Sequence, residues 1–506
     1  MRPHLLFIAT SLLGTVLFAR GVDGQVIFTD ITEEAGIALE DLLTESVAWG
    51  DYDNDGDEDL YMTADGPNHL FRNDGGGRFT DVTQTAGVGN GGFSVGTAFG
   101  DLDNDGDLDL YVVNFGGGPD VLYRNDGPAG PGGAYRFSDR TSAAGTSFQG
   151  SSRGVAFVDY DRDGLLDIFV LAIGPNILYR NEGGLRFRNV AGALGVNQDD
   201  QGVGVVAADI DDDGWPDLYT GNRSGDLSNL FLNLDGEFDD IASEAGVTAR
   251  GLGMGVAAFD FDNDLDMDLY WTTWPGGGGD PVRNRLYENR GGFLFEDIGE
   301  ASGTDDPLGW GISVNVGDID LDGWQDLFVT NGFDSSSGPN VLFQNLGNGS
   351  FSDITYVIGG GAFDGRGVAF ADFDNDGDLD FVVTADAGEP NRLWRNDSVT
   401  GHHWLGLRLR GVDSNSSAIG ARVTVTTAES SFVQEVSGGA GRGSQNSLPL
   451  EFGLGTATVV ESLRIRWPSG AVQTLQNVPM DRYLELTERS AATRRGSGRR
   501  GPSSDQ

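Results

Sequence analysis

The chain has 506 residues, a formal charge of −46 and a sequence pI near 4.1, an acidity that argues against nucleic acid as a partner, because a phosphate backbone requires a basic patch. There is no cysteine and no lysine, all 32 basic residues being arginine, so disulfides, zinc–thiolate sites, thiol nucleophiles and lipoprotein acylation are excluded. With 80 glycines, 16 prolines and 38% hydrophobic residues, many tight turns between short buried strands are expected, and a chain this long needs more than one ordinary core unless it is a closed repeat array.

Residues 1–24 have the form of a secretory signal: Arg2 and His4 precede an apolar run over 5–19, and cleavage is expected after Gly24. The run is too short to span a bilayer, and no later segment approaches about eighteen apolar residues. The mature chain is therefore expected to be secreted, extracellular or periplasmic, with no membrane span.

From there the chain repeats. Acidic loops begin at Asp51, Asp101, Asp159, Asp209, Asp260, Asp318 and Asp372, spaced 50, 58, 50, 51, 58 and 54 residues apart, and a recurring period of this size marks a repeat architecture. Before each loop lies a small-residue strand, as at 96–99. After it come an apolar strand, as at 110–113, and a Leu-aromatic-x-Asn strand at 70–73, 122–125, 178–181, 230–233, 286–289, 342–345 and 393–396. A Gly-rich turn and a Phe-led strand, as at 79–83, complete the unit. Four short strands per unit predict one propeller blade, and seven units an all-β, seven-bladed propeller over 25–398. The Phe-led strands start at Phe28, Phe79, Phe137, Phe187, Phe238, Phe295 and Phe351, one ahead of the loops. Residues 28–32 are thus expected to supply the outer strand of the last blade and close the ring.

The loops carry the chemistry. In 101–109 carboxylates alternate at Asp101, Asp103 and Asp105, Gly106 turns the chain and Asp109 closes the run. Two carboxylates about 4 Å apart repel by roughly 1–4 kcal/mol, so their convergence calls for a hard cation. Calcium takes six to eight oxygens at about 2.3–2.6 Å, and the first half of an EF-hand loop spaces its aspartates in this way. Here Val112 stands where an EF-hand has its Glu, so the loop is a shorter one joining two strands. Magnesium suits it less, since it demands octahedral geometry near 2.0 Å.

Positions one, three, five and nine give the expected side-chain ligands: Asp51, Asp53, Asp55 and Asp59; Asp101, Asp103, Asp105 and Asp109; Asp159, Asp161, Asp163 and Asp167; Asp209, Asp211, Asp213 and Asp217; Asp260, Asp262, Asp264 and Asp268; Asp318, Asp320, Asp322 and Asp326; Asp372, Asp374, Asp376 and Asp380. Position seven is Asp57, Asp107, Leu165, Trp215, Asp266, Trp324 and Asp378, a variation that suits a backbone carbonyl ligand. Up to seven Ca²⁺ ions are expected on one face. The fifth site is expected to be weakest, because Leu265 replaces the turn glycine and a positive φ costs a leucine on the order of 1 kcal/mol or more.

After Asn396 the repeat stops. Strands are expected at 402–410, 418–426, 432–436, 448–452, 463–467 and 483–486, around a Gly-rich turn at 438–443, giving a small β-domain over 399–490. Residues 491–506, with Arg494, Arg495, Arg499 and Arg500, are expected to form a disordered basic tail.

The acidic loops with their flanking strands resemble the FG-GAP or VCBS repeats of integrin α-subunit propellers. The C-terminal segment resembles the ASPIC/UnbV domain in its motifs Asn415-Ser416-Ser417-Ala418-Ile419-Gly420-Ala421, Gly439 to Gln445, Phe452-Gly453-Leu454-Gly455 and Trp467-Pro468-Ser469-Gly470. Together they resemble the cartilage acidic protein family. Its vertebrate members add a cysteine-rich EGF-like module that this sequence lacks, which points to a bacterial-type secreted member, and no Arg-Gly-Asp supports an integrin-ligand role.

No Gly-x-Ser-x-Gly elbow, no phosphate-cradling loop followed by Lys-Ser/Thr and no plausible triad is present. His402-His403, beside Trp404, is the one histidine pair. Sequons at Asn222, Asn348, Asn396 and Asn415 matter only in a eukaryotic host. The sequence thus points to a secreted, calcium-binding scaffold for cell adhesion or for an extracellular protein or glycan ligand; Trp271, Trp274 and Trp310 are expected first as buried blade packing and otherwise as sugar-stacking faces. The alternative is a metal-dependent extracellular enzyme of the sugar-lyase kind, which would need polar residues converging at the channel mouth.

Overall fold

The computed structural model describes residues 25–490 apart from 131, 224–226, 250, 275–282, 334–337 and 362. The expected signal, 1–24, and tail, 491–506, lie outside the described residues.

In the first unit Thr44–Gly50 pairs antiparallel with Asp59–Ala64, Gly50 opposite Asp59, so the acidic loop is the connection of a hairpin and its last aspartate already begins the returning strand. His69–Asn73 and Phe79–Asp81 complete a four-stranded sheet. Asp59–Ala64 is buried throughout, as a strand covered on both faces must be, and its apolar residues form a run instead of alternating. The same order recurs in the five units that follow, the third and fourth being joined by pairing of Ile173–Pro175 with Asp199–Gln201.

The inner strands Thr44–Gly50, Phe93–Gly100, Ser152–Val158, Asp199–Ala208, Leu252–Phe259, Gly311–Gly317 and Gly365–Ala371 pack each on the next, and the last packs back on the first. Phe28–Asp30 pairs with Arg392–Asn396, Phe28 opposite Asn396, so the closing strand comes from the other end of the chain as its phase predicted. The fold is an all-β propeller. The Phe-led strands are shorter than expected: Phe79–Asp81 stops because the Asp81 carboxylate accepts the Thr83 N–H at 3.0 Å and starts the one-turn helix Thr83–Ala86.

Two further sheets follow. Trp404–Arg410 lies between Leu450–Gly453 and a parallel neighbour, Tyr483–Thr487. Ser431–Glu435, Arg422–Thr426, Val460–Arg466 and Val472–Val478 form the second sheet. The edge strand Val472–Val478 is absent from the expected elements, its sequence being mostly polar. Leu405, Val423, Leu463 and Trp467 share one apolar cluster with Val155 and Phe157 of the third blade, so this segment packs into the propeller's own core.

The Gly-rich stretch enters the central channel. The Phe157 N–H donates to Gly438 O at 3.0 Å and the Thr97 N–H to Gly443 O at 3.0 Å; Gly441 N–H donates to Val256 O at 2.7 Å and Gln445 N–H to Val47 O at 2.9 Å. The Gln445 amide bridges the N–H and C=O of Phe99 at 2.7 and 3.0 Å. Inner-strand groups that would otherwise be unpaired at the axis are satisfied in this way. Only glycine fits: Gly443 has φ +73°, and a Cβ there would stand 2.9 Å from Gly96 Cα.

Candidate metal centres

Each acidic loop is held by the same four contacts. The first aspartate accepts the N–H of position six at 2.7–3.1 Å. The fifth accepts the N–H of position seven at 2.8–3.2 Å. The ninth accepts the N–H of position two at 2.9–3.2 Å with one oxygen. Its other oxygen accepts the N–H of the Asn of Leu-aromatic-x-Asn in the third strand, at 2.6–2.9 Å.

The structure brings together positions one, three and nine. Oxygens of Asp51, Asp53 and Asp59 lie within 4.8 Å of one another, as do those of Asp101, Asp103 and Asp109, of Asp159, Asp161 and Asp167, of Asp209, Asp211 and Asp217, and of Asp260, Asp262 and Asp268. Position five turns one oxygen back to the loop backbone. The position-seven side chains of Asp57 and Asp107 serve as acceptors for Asn375 and Asn54 of the neighbouring loops. Oδ1 of Asp53, Asp103, Asp161 and Asp374 is buried without a hydrogen-bond partner. Such an orphaned anionic oxygen is costly unless a cation meets it.

Burial and neighbouring carboxylates act in the same direction on acidity. Burial first, then Asp55, pushes Asp51 up to about 6; burial and then Asp163 push Asp159 up to about 7. Asp260 rises to about 7 and Asp372 to about 6, burial again leading. These clusters could hold metal ions, and without one they favour protons. In the fifth loop Leu265 takes φ +77° and still donates its N–H to Asp260 at 3.0 Å, so the leucine is held in the conformation that the other loops give to glycine.

Two repeated features went unrecognised as functional in the sequence. The Asn of Leu-aromatic-x-Asn staples adjacent blades: Asn125 Nδ2 donates to Tyr52 O at 2.8 Å, Asn181 to Leu102 O at 2.8 Å, and Asn73 to Phe373 O at 2.8 Å across the closure. The variable x residue faces the loop, Arg124 bridging Asp103 and Asp105 at 2.7 and 2.6 Å and Arg180 holding Asp161 at 2.5 Å. The invariance of the Asn across all units was the available signal.

The C-terminal sheets lie on this face and touch every loop. Arg408 donates to Gly56 O at 3.2 Å, Ser416 Oγ to Asp101, and Arg162 to Pro468 O at 2.9 Å. Arg466 pairs with Asp209, and Arg422 donates to Leu265 O at 2.6 Å. His402 Nδ1 lies 2.8 Å from Asp320 O, and Tyr483 Oη donates to Asp372 at 2.7 Å. Ser416 and Pro468 belong to the motifs on which the C-terminal resemblance rests. Among the tryptophans, Trp271 is fully buried and offers no stacking face. Trp274 and Trp310 meet edge-to-face at 6.0 Å, both partly exposed.

The FG-GAP-like repeat model matches residues 51–112, 101–170, 159–220, 213–271 and 318–383. The chain belongs to the FG-GAP-like repeat family. The ASPIC and UnbV model matches 411–493. This FG-GAP protein is similar to cartilage acidic protein 1 of Homo sapiens, 30% identical over 317 residues, covering 56% of this chain and 46% of that one. It spans about half the length of the curated relatives it matches. Among solved structures, an Agrocybe aegerita lectin recognising non-reducing terminal N-acetylglucosamine aligns at TM-score 0.36 and 16% identity over 73% of this chain and 93% of its own. A Bacillus licheniformis rhamnogalacturonan lyase aligns at 0.41 and 13% over 71% and 72%. Among the described residues no helix is long and apolar enough to cross a membrane.

Proposed function

We propose that this FG-GAP protein is an exported, calcium-binding scaffold that engages an extracellular protein or glycan, with its C-terminal domain over 399–490 fixed as a cap on the metal-bearing face. The observation that carries this proposal is the contact of that segment with all seven acidic loops, at Gly56, Asp101, Arg162, Asp209, Leu265, Asp320 and Asp372. Ions buried beneath a cap hold blades and cap in register; ions meant to react with a substrate would need an open coordination position. The orphaned Oδ1 atoms of position three support calcium as ligand, with position-seven carbonyls completing the shell and up to seven ions bound.

The acidic-loop face being covered, the partner is expected at the opposite end of the ring. The test is a glycan and surface-protein array probed with the intact protein, with Ca²⁺ and with chelator. Calcium-dependent capture without turnover supports the scaffold; release of unsaturated sugar products supports a lyase instead.

A further inference from the structure

The residue six positions before each acidic loop stands at one level of the channel, at the end away from the metals. These residues are Glu45, Val95, Arg153, Val203, Met254, Ile312 and Arg366, and all are buried. Val203, Met254 and Ile312 form one apolar cluster, with Trp274 and Phe333 packed against it. The other arc carries Arg366, Glu45 and Arg153, with Val95 among them. Arg442, at the tip of the inserted Gly-rich stretch, pairs with Glu45. Arg366 pairs with Asp386 at 2.8 Å and approaches Asp364 at 3.7 Å. The Arg366 and Arg442 guanidinium carbons lie 3.9 and 5.3 Å from the centre of the Phe333 ring. Arg153 lies 4.5 Å from Phe115 and Arg223 lies 5.4 Å from Trp274.

Several guanidinium donors there are unsatisfied. Arg153 is 9% exposed and its Nε has no hydrogen-bond partner; Arg366 is 4% exposed with Nε and Nη1 both unpartnered. Burial, then Arg442 and Arg223, depress Arg153 to about 9, Glu45 offsetting them only in part. A guanidinium keeps its proton in proteins, so Arg153 stays charged in a buried setting beside two further cations. Buried guanidinium N–H groups left without acceptors are not explained by stability, because an unsatisfied buried donor is costly.

The geometry points to a binding site for an acidic sugar, a uronate whose carboxylate is held by Arg153 and Arg223 and whose ring lies on the apolar arc beside Trp274 and Phe333. Guanidinium donors match a carboxylate two by two, and Phe115, Arg223, Trp274, Trp310 and Phe333 are partly exposed. The assignment rests on the scaffold proposal and names its ligand class.

The experiment is calorimetric titration of the full-length, calcium-loaded protein with trigalacturonate and with its neutral methyl ester. Trigalacturonate is expected to bind and the ester at least about tenfold more weakly, with Arg153→Gln costing at least about tenfold and Arg223→Gln severalfold. Equal binding of acid and ester, or undiminished binding by both variants, overturns the site. Displacement of the uronate by triglutamate or sulfate at equal concentration overturns its assignment to a sugar. A protein that captures other partners on the array but no uronate refutes this inference and leaves the scaffold standing; one that captures nothing refutes the scaffold.

Discussion

The two ends of the ring are built from the same strands under opposite rules. At the metal end every blade supplies the same residues: an aspartate at positions one, three, five and nine, and an Asn from its third strand. At the far end the equivalent position changes from blade to blade, carrying Arg366, Glu45, Val95 and Arg153 on one arc and Val203, Met254 and Ile312 on the other. Repetition marks what each blade needs to fold and join its neighbour. Variation marks what only the assembled ring can use, because a ligand at the axis sees all blades at once.

The sharpest break in that comparison is removal of metal. At free Ca²⁺ about ten times its dissociation constant, each site adds about 1.4 kcal/mol, so several sites together rival the whole stability of a domain. Chelation is expected to lower the Tm by more than about 10 °C, and an unchanged Tm refutes the metal assignment. pH gives the sign. With Asp51 and Asp372 raised to about 6 and Asp159 and Asp260 to about 7, the metal-free folded state binds more protons than the unfolded chain between about pH 4 and 7. Its stability therefore falls as pH rises through that window. Bound Ca²⁺ replaces those protons, so the gap in Tm between loaded and chelated protein should widen from pH 5 to pH 8. A gap that narrows counts against the ions.

At the other end Arg442→Ala leaves Glu45 buried and unpaired and is expected to cost about 3–5 kcal/mol, read by chemical denaturation. Pairing it with Glu45→Gln should restore much of the loss. A smaller effect follows from cutting one staple: Asn181→Ala removes donors to Leu102 O and Leu166 O at 2.8 and 3.0 Å and should cost about 1–3 kcal/mol, with uronate binding unaltered. Smallest is Leu265→Gly, which relieves a leucine at φ +77° and should tighten one calcium site severalfold, corresponding to about 1 kcal/mol. Glu288, at the x position of that blade, is paired with Arg290 and is left unchanged, so this variant isolates the strain. Unchanged titration of all sites contradicts the expected weakness of the fifth.

Much of the fold was legible because its signals are local. Aspartates two apart with a turn glycine define a hairpin loop by themselves, and the early appearance of Phe28 required a closing strand, which the pairing with Asn396 provides. The short helices such as Thr83–Ala86 were not legible, since one turn carries no periodicity. Nor was the polar edge strand Val472–Val478. Of the expected metal ligands, those at positions one, three and nine converge in each of the first five loops, whereas position five is turned toward backbone N–H groups.

By itself the sequence determined the repeat, its acidic loops and the closure of the ring, because each depends on spacing within about fifty residues or on a count of equivalent strands. Only the tertiary structure decided that residues 438–445 thread the channel, that the C-terminal sheets cover the acidic loops, and that Glu45, Arg153, Arg366 and Arg442 meet at the far end. Glu45, Arg153 and Arg366 hold the same place in their repeats, but Arg442 lies outside the repeat, 397 positions from the Glu45 with which it pairs. Their encounter follows from the curvature of a closed ring, which brings one residue of every blade to the axis whatever its distance along the chain.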